Sequence, residues 1–239
     1  MLQVFAKEFS SFLNSLIAYI VIGVFLTAMG LLMWVFPDTA VLDYGYADMD
    51  TLFLLAPYVF IFLVPAITMR SFSEEIKTGT IELLVTKPLT DWNIITGKFL
   101  ANFFLVLFAL IPTLLYYFSI YSLGSPAGNI DTSGVIGSYI GLAFLAAVFC
   151  AIGILASSLT RNQIVAFILA AFLCFIIFLG FDSVSSLTGS GLLTKQFGIL
   201  YHYESMRKGL LDSRDIIYFL SVIFLMLSTT KLILSSRQW

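Results

Sequence analysis

RSFSEEIKTGTIELLVTKPLTDWNIITGK, residues 70–98, is the one long mixed-charge stretch between apolar blocks on the side of the chain that carries most of its positive charge. Its charges keep it out of hydrocarbon, whereas the blocks on either side, Thr51–Thr68 and Phe99–Ser122, are apolar enough and long enough to span a bilayer. The stretch therefore joins two membrane helices, and the fold it implies is an all-α polytopic membrane protein. Composition agrees. Of 239 residues, 60% are hydrophobic and 11% charged, with mean hydropathy +1.01, against about 25% charge in soluble domains. At roughly 20 residues per crossing, six crossings take about half the chain and leave no room for a sizeable soluble domain. Residues 1–239 read as a single transmembrane domain. The net charge of −2 and the lack of a basic block give no reason to expect nucleic acid.

Working outward toward the N-terminus, the second span contains Pro57 and Pro65. A membrane helix tolerates these where neighbours satisfy the freed carbonyls, with a kink as the expected result. Pro37–Asp50 carries four aspartates and no Lys or Arg, so it reads as an external loop. Leu16–Phe36 is the first span. In front of it, residues 1–14 place Leu2, Phe5, Phe9, Phe12 and Leu13 at helical spacing opposite Lys7, Glu8 and Ser11, the pattern of an interfacial elbow helix. No small-residue cleavage motif follows the first span, so an uncleaved helix is expected rather than a signal peptide.

Toward the C-terminus, Leu123–Ser133 is a second Lys- and Arg-free loop, and Gly134–Leu159 is a span rich in Gly and Ala that should face other helices more than lipid. Thr160–Asn162 allows only a tight turn before Gln163–Phe181. A re-entrant pair at this point would change the parity, although the combined length of about 45 residues suits two crossings. The sixth span centres on Ile216–Thr230. Residues 182–215 form an external segment whose half from Phe197 onward alternates aromatic and charged residues, suggesting one or two short interfacial helices. With both termini inside, Lys and Arg divide eight inside to four outside, which is the expected bias. A cysteine replacing Ser185 should then react with an impermeant thiol reagent from outside, and one replacing Thr78 should not.

The proposed spans hold no Lys, Arg, Asp, Glu or His at membrane depth, which argues against proton relays, ion-coupled transport and intramembrane catalysis. Cys150 and Cys174 lie in apolar runs and read as buried thiols. The only histidine, His202, reads as a surface or interfacial residue with no metal cluster around it. Gly79-Thr80 and Gly189-Ser190-Gly191 before Lys195 lack the spacing of a phosphate loop, so this chain should bind no nucleotide itself. In the 70–98 stretch, Ile76, Thr80, Leu83 and Leu84 fall on one helical face. Lys87-Pro88 ends the helix, and Gly79 marks a break between two short helices.

The stretch MRSFSEEIKTGTIELLVTKPLTDWNIITGKFL resembles the signature of ABC-2 type transporter permeases. In these an aromatic, a glutamate, Gly-Thr, Glu-Leu-Leu and a proline follow the second span, and Gly-Lys opens the third. VFPDTAVLDYGYADM, LLAPYVFIFLVPAITMRSF, LGSPAGNID and MRKGLLDSRDIIYFLS extend the likeness, over nearly the whole chain, to the permease subunits of gliding-motility-associated ABC transporters. The resemblance implies six helices, an N-terminal elbow helix and a cytoplasmic coupling helix between the second and third spans that docks on a separate ATPase. Carried onto this chain, it puts Phe72, Glu75, Gly79, Thr80, Glu82, Leu83 and Leu84 in the docking region, with Arg70, Glu74 and Lys77 linking the second helix to the elbow. It also implies a second permease chain, an auxiliary extracytoplasmic gliding protein, ATP and Mg held by the partner ATPase rather than by this chain, and a bacterial inner membrane with both termini cytoplasmic. Two other readings stay open on the residues: a scaffolding subunit that moves no cargo, and an autonomous channel or carrier.

Overall fold

In the computed structural model, residues 1–43, 45–81, 90–188 and 195–236 are described, and every regular element among them is helical. The order is α1 (Leu2–Leu13), α2 (Leu16–Trp34), α3 (Asp50–Thr68), the short α4 (Ser73–Thr78), α5 (Asp91–Leu110), which passes through a 3-10 turn into α6 (Leu114–Leu123), α7 (Thr132–Ser158), α8 (Gln163–Thr188), α9 (Ile199–Arg207) and α10 (Ser213–Ser236). Six stretches are long and apolar enough to cross a membrane, with α5 and α6 together forming one.

Two span ends differ from the sequence expectation. The fifth helix continues past Phe181 to Thr188 because its serines do not break it: Ser183 Oγ donates to the Leu179 carbonyl at 3.0 Å and Ser186 Oγ to that of Ser183 at 2.7 Å. Ser185, expected to be accessible, is therefore a helical residue only 3% exposed. The accessible probe site at that end of the bundle is Ser213, exposed at the start of α10. The third helix starts at Asp91, so Lys98, expected in the connection, sits within α5.

The bundle is built around α7, 83% of whose apolar window is buried, against 22% for each of α2, α8 and α10. Small residues make this possible, since lipid offers no hydrophobic drive between helices and association depends on close approach. A Cβ on Gly141 would lie 2.7 Å from that of Met206, and one on Gly137 would lie 2.8 Å from Cα of Gly209. A Cβ on Gly153 would collide with the Thr68 hydroxyl on α3. The α2 face that meets the core, Ala18, Phe25, Met29 and Met33, is buried, while Leu16, Tyr19, Ile20 and Val24 are exposed.

The late segment contains a short helix, α9, within the half where its pattern suggests one or two, and one side of that helix is buried. Ile199, Tyr203 and Met206 share one side of α9 and are buried, and α9 packs against α7, α8 and α10 and reaches α3 through Tyr203. Tyr203 answers the question set by Pro57. Proline has no N–H for the carbonyl four residues earlier, which is that of Phe53, and the Tyr203 hydroxyl donates to this carbonyl at 2.6 Å. Burial pushes the Tyr203 phenol above its ordinary pKa, with Arg207 opposing and Asp50 adding to the shift, so it remains a donor. Arg207 closes the same end, with Nη1 3.0 Å and 3.2 Å from the two carboxylate oxygens of Asp50. His202 lies between Asp215 Oδ1, 2.7 Å from its Nδ1, and the Gln196 carbonyl, 2.8 Å from its Nε2. It therefore ties α9 to α10 and is not simply a surface residue.

Tyr203→Phe is expected to cost about 1–3 kcal/mol, the range for a buried acceptor left without a partner. In a Pro57→Ala background the loss should shrink, because the alanine restores a backbone N–H that can take the Phe53 carbonyl. Thermal unfolding in detergent measures both, and equal losses in the two backgrounds would contradict the assignment.

Candidate functional site

At the opposite end of the bundle from α9, the residues after α3 form a short turn and then α4. Gly79 ends α4 in the left-handed conformation at φ 71°, the geometry for which glycine is favoured at a helix C-terminus. The expected break at Gly79 is thus a helix stop. Glu74 and Glu75 sit in the first turn and Lys77 in the last, each placed favourably on the helix dipole.

A six-residue helix has almost no stability of its own, and α4 is held by its neighbours. Its first amides lack a cap from within the segment. Instead Ser157 of α7 supplies one: its Oγ accepts from Phe72 N–H at 2.9 Å and Ser73 N–H at 3.1 Å, and donates to the Met69 carbonyl at 2.9 Å. Phe72, Ile76 and Ile81 complete the attachment in an apolar cluster with Ile94 and Ile95 of α5, Ala151 and Ile154 of α7, and Leu227 and Leu234 of α10.

An ion cluster fixes the other side. Lys98, 1% exposed, places Nζ 2.9 Å from Glu8 Oε1 on α1 and 3.0 Å from Glu75 Oε2 on α4, and it donates to the Ser71 carbonyl at 2.6 Å. The Glu75 contact is an ion pair without hydrogen-bond alignment at Oε2. Lys7 lies 3.5 Å from Glu75 Oε1, so two cations face two carboxylates. Asn102 donates to Ser71 Oγ at 2.9 Å. The elbow approaches closely because Gly97, next to Lys98, has no side chain: a Cβ there would lie 3.0 Å from that of Val4. The Gly-Lys pair at the third span thus has two jobs, contact with α1 and charge at its foot.

The sequence-derived residues divide accordingly. Phe72 and Glu75 are buried and face inward. Glu74, Lys77, Thr78, Gly79 and Thr80 are exposed, with the Thr78 and Thr80 hydroxyls 2.9 Å apart. Arg70 reaches the elbow through Phe12, its guanidinium carbon 4.9 Å from the ring centre. It is Glu75, not Glu74 or Lys77, that pairs with the elbow. Glu82, Leu83 and Leu84 lie outside the described residues. Sequence reasoning missed Ser157, Glu8 and Lys98. Only Lys98 carried a signal, through its place in the quoted Gly-Lys pair.

The arrangement ties a helical turn with one exposed side to α7 through Ser157, to α1 and α5 through the ion cluster, and to α5, α7 and α10 through the apolar cluster. Comparison with curated proteins returns no match. The family model described as ABC-2 family transporter protein matches residues 2–231. With that match covering nearly all of its length, the chain belongs to the ABC-2 family of transporter membrane proteins.

Proposed function

We propose that this chain is the permease subunit of an export-type ABC transporter of the bacterial inner membrane, driven by a separate ATPase and serving gliding motility. The observation that carries the reading is the clamping of α4: a marginal helix, exposed on one side, is bound to α7 by Ser157 and to α1 and α5 by Lys98. Packed cores shift between discrete arrangements rather than deforming continuously, so a turn fixed in this way is suited to carry a nucleotide-driven stroke into the bundle. The ATPase would bind the exposed Lys77–Thr80 side together with residues 82–84, and would hold the ATP and Mg. A second permease chain completes the half-transporter, with both termini cytoplasmic. The gliding assignment, with its auxiliary extracytoplasmic protein, rests on the loop resemblances.

Cysteine labelling tests orientation and docking together. An impermeant maleimide is expected to label Ser213→Cys in intact cells. Thr78→Cys should be labelled only in inside-out vesicles, and faster once peripheral proteins are stripped. Labelling of Thr78→Cys from outside would overturn the orientation, and indifference to stripping would overturn the docking surface.

A further inference from the structure

A cavity of about 480 Å³ opens between α1, the end of α3, α4 and α5. Six ionisable side chains line it: Lys7, Arg70, Lys98, Glu8, Glu74 and Glu75. They sum to zero charge, which suits neither a simple anion nor a simple cation. Four of them neutralise one another in the ion cluster. The remaining two have no such partner: none of the ion pairs among the described residues includes Arg70 or Glu74. Arg70 lies in the turn that follows α3 and Glu74 in the first turn of α4, both on the cavity wall, and the Arg70 guanidinium carbon stands 4.9 Å from the centre of the Phe12 ring. The inner wall is apolar, formed by the buried Ile67, Ala101 and Leu105.

Location adds the second constraint. The cavity also takes in Asn14 and Ser15, the turn where the amphipathic α1 hands over to the spanning α2. That is the level at which the hydrocarbon ends and the lipid headgroups begin. We propose that the cavity binds the headgroup of a zwitterionic glycerophospholipid carrying a primary amine. The phosphate rests on Arg70, the ammonium on Glu74, and the glycerol end faces Ile67 and Leu105. A guanidinium fork matches phosphate geometry, and charge-assisted bonds at both ends of the headgroup select it. An anionic lipid without the amine would leave Glu74 facing like charge, which disfavours it. The lipid then sits between elbow and α4. This inference needs only the membrane-spanning fold and not the ATPase.

The test uses the full chain in detergent, stripped of lipid and titrated with phosphatidylethanolamine, phosphatidylglycerol or soluble phosphoethanolamine, with bound adducts read by native mass spectrometry. Phosphatidylethanolamine should saturate at roughly tenfold lower concentration than phosphatidylglycerol, and Arg70→Gln or Glu74→Gln should each erase about tenfold of its affinity, the scale of one charged hydrogen bond. Glu74 is exposed and outside the ion cluster, so Glu74→Gln keeps the test open if Arg70→Gln fails to fold. Equal retention of both lipids, unchanged in Glu74→Gln, would mean annular lipid only and overturn the proposal. Phosphoethanolamine binding as tightly as the lipid would also overturn it, in favour of a free-solute site.

Discussion

Lys98→Met is expected to be the most damaging single charge substitution in the chain, costing roughly 3–5 kcal/mol of stability, the range for breaking a buried ion pair from one side. The methionine leaves Glu8 and Glu75 with only the largely exposed Lys7 as a cation and removes the donor to the Ser71 carbonyl. Glu8 keeps 24% of its side chain exposed, so water relieves part of the cost and the lower half of that range applies. The triple variant Glu8→Gln, Glu75→Gln, Lys98→Met should recover much of the loss, because neutralising the buried charges together is often nearly neutral and the remaining Lys7 keeps 65% of its side chain exposed. Thermal unfolding in detergent measures both. A single variant as stable as the native chain, or a triple variant worse than the single one, would contradict the cluster's role in holding α4.

The second large effect lies at the α3–α7 crossing. Gly153→Ala places a methyl against the Thr68 hydroxyl, and Thr68 is fully buried and donates to the Val64 carbonyl at 2.9 Å. It cannot turn away, so the helices must separate. Overpacking of this kind costs about 1–3 kcal/mol, and Gly153→Val should exceed it. Adding Thr68→Ala should give partial rescue only, because the Thr68 Cβ would itself stand 2.8 Å from the new methyl. Gly23→Ala on α2 is the control: nothing lies within 4 Å of a Cβ there, and the alanine gains up to about 1 kcal/mol of helix propensity. Unfolding midpoints that fall equally for Gly153→Ala and Gly23→Ala would show that the tight crossing is not the cause.

Much of the fold was legible because its signal is local. Apolar runs of spanning length gave the six helices, and the glycines and alanines of residues 134–159 marked the helix that other helices surround. The left-handed stop at Gly79 was also readable, as a costly glycine inside a helical pattern. What could not be read depends on pairs far apart in sequence. Ser157 caps a helix 85 residues earlier, Lys98 pairs with a glutamate 90 residues earlier, and Tyr203 satisfies a carbonyl 150 residues earlier. No periodicity encodes such partners. In the 197–215 half-segment a short helix was legible, but its buried side was not. Its alternation of charged and aromatic residues suits an interface, yet Ile199, Tyr203 and Met206 recur at helical spacing and are the side that sinks into the bundle. At the candidate site, the neighbouring glutamates at 74 and 75 look equivalent in sequence. Only the packing of α4 turns Glu75 inward to Lys98 and leaves Glu74 at the surface.

That division changes how docking should be tested. A substitution at Glu75 would disturb the ion cluster along with any partner contact, whereas Thr78 and Thr80 are exposed and lie outside the cluster. The most direct measurement is affinity purification of the tagged chain from native membranes, with mass spectrometry of what stays bound, in parallel with a Thr78→Arg, Thr80→Arg double variant. The account predicts recovery of a nucleotide-binding ATPase with the native chain and its loss with the double variant, while the unfolding midpoint is unchanged. Recovery of the chain without any ATPase, under conditions that preserve complexes, would contradict it.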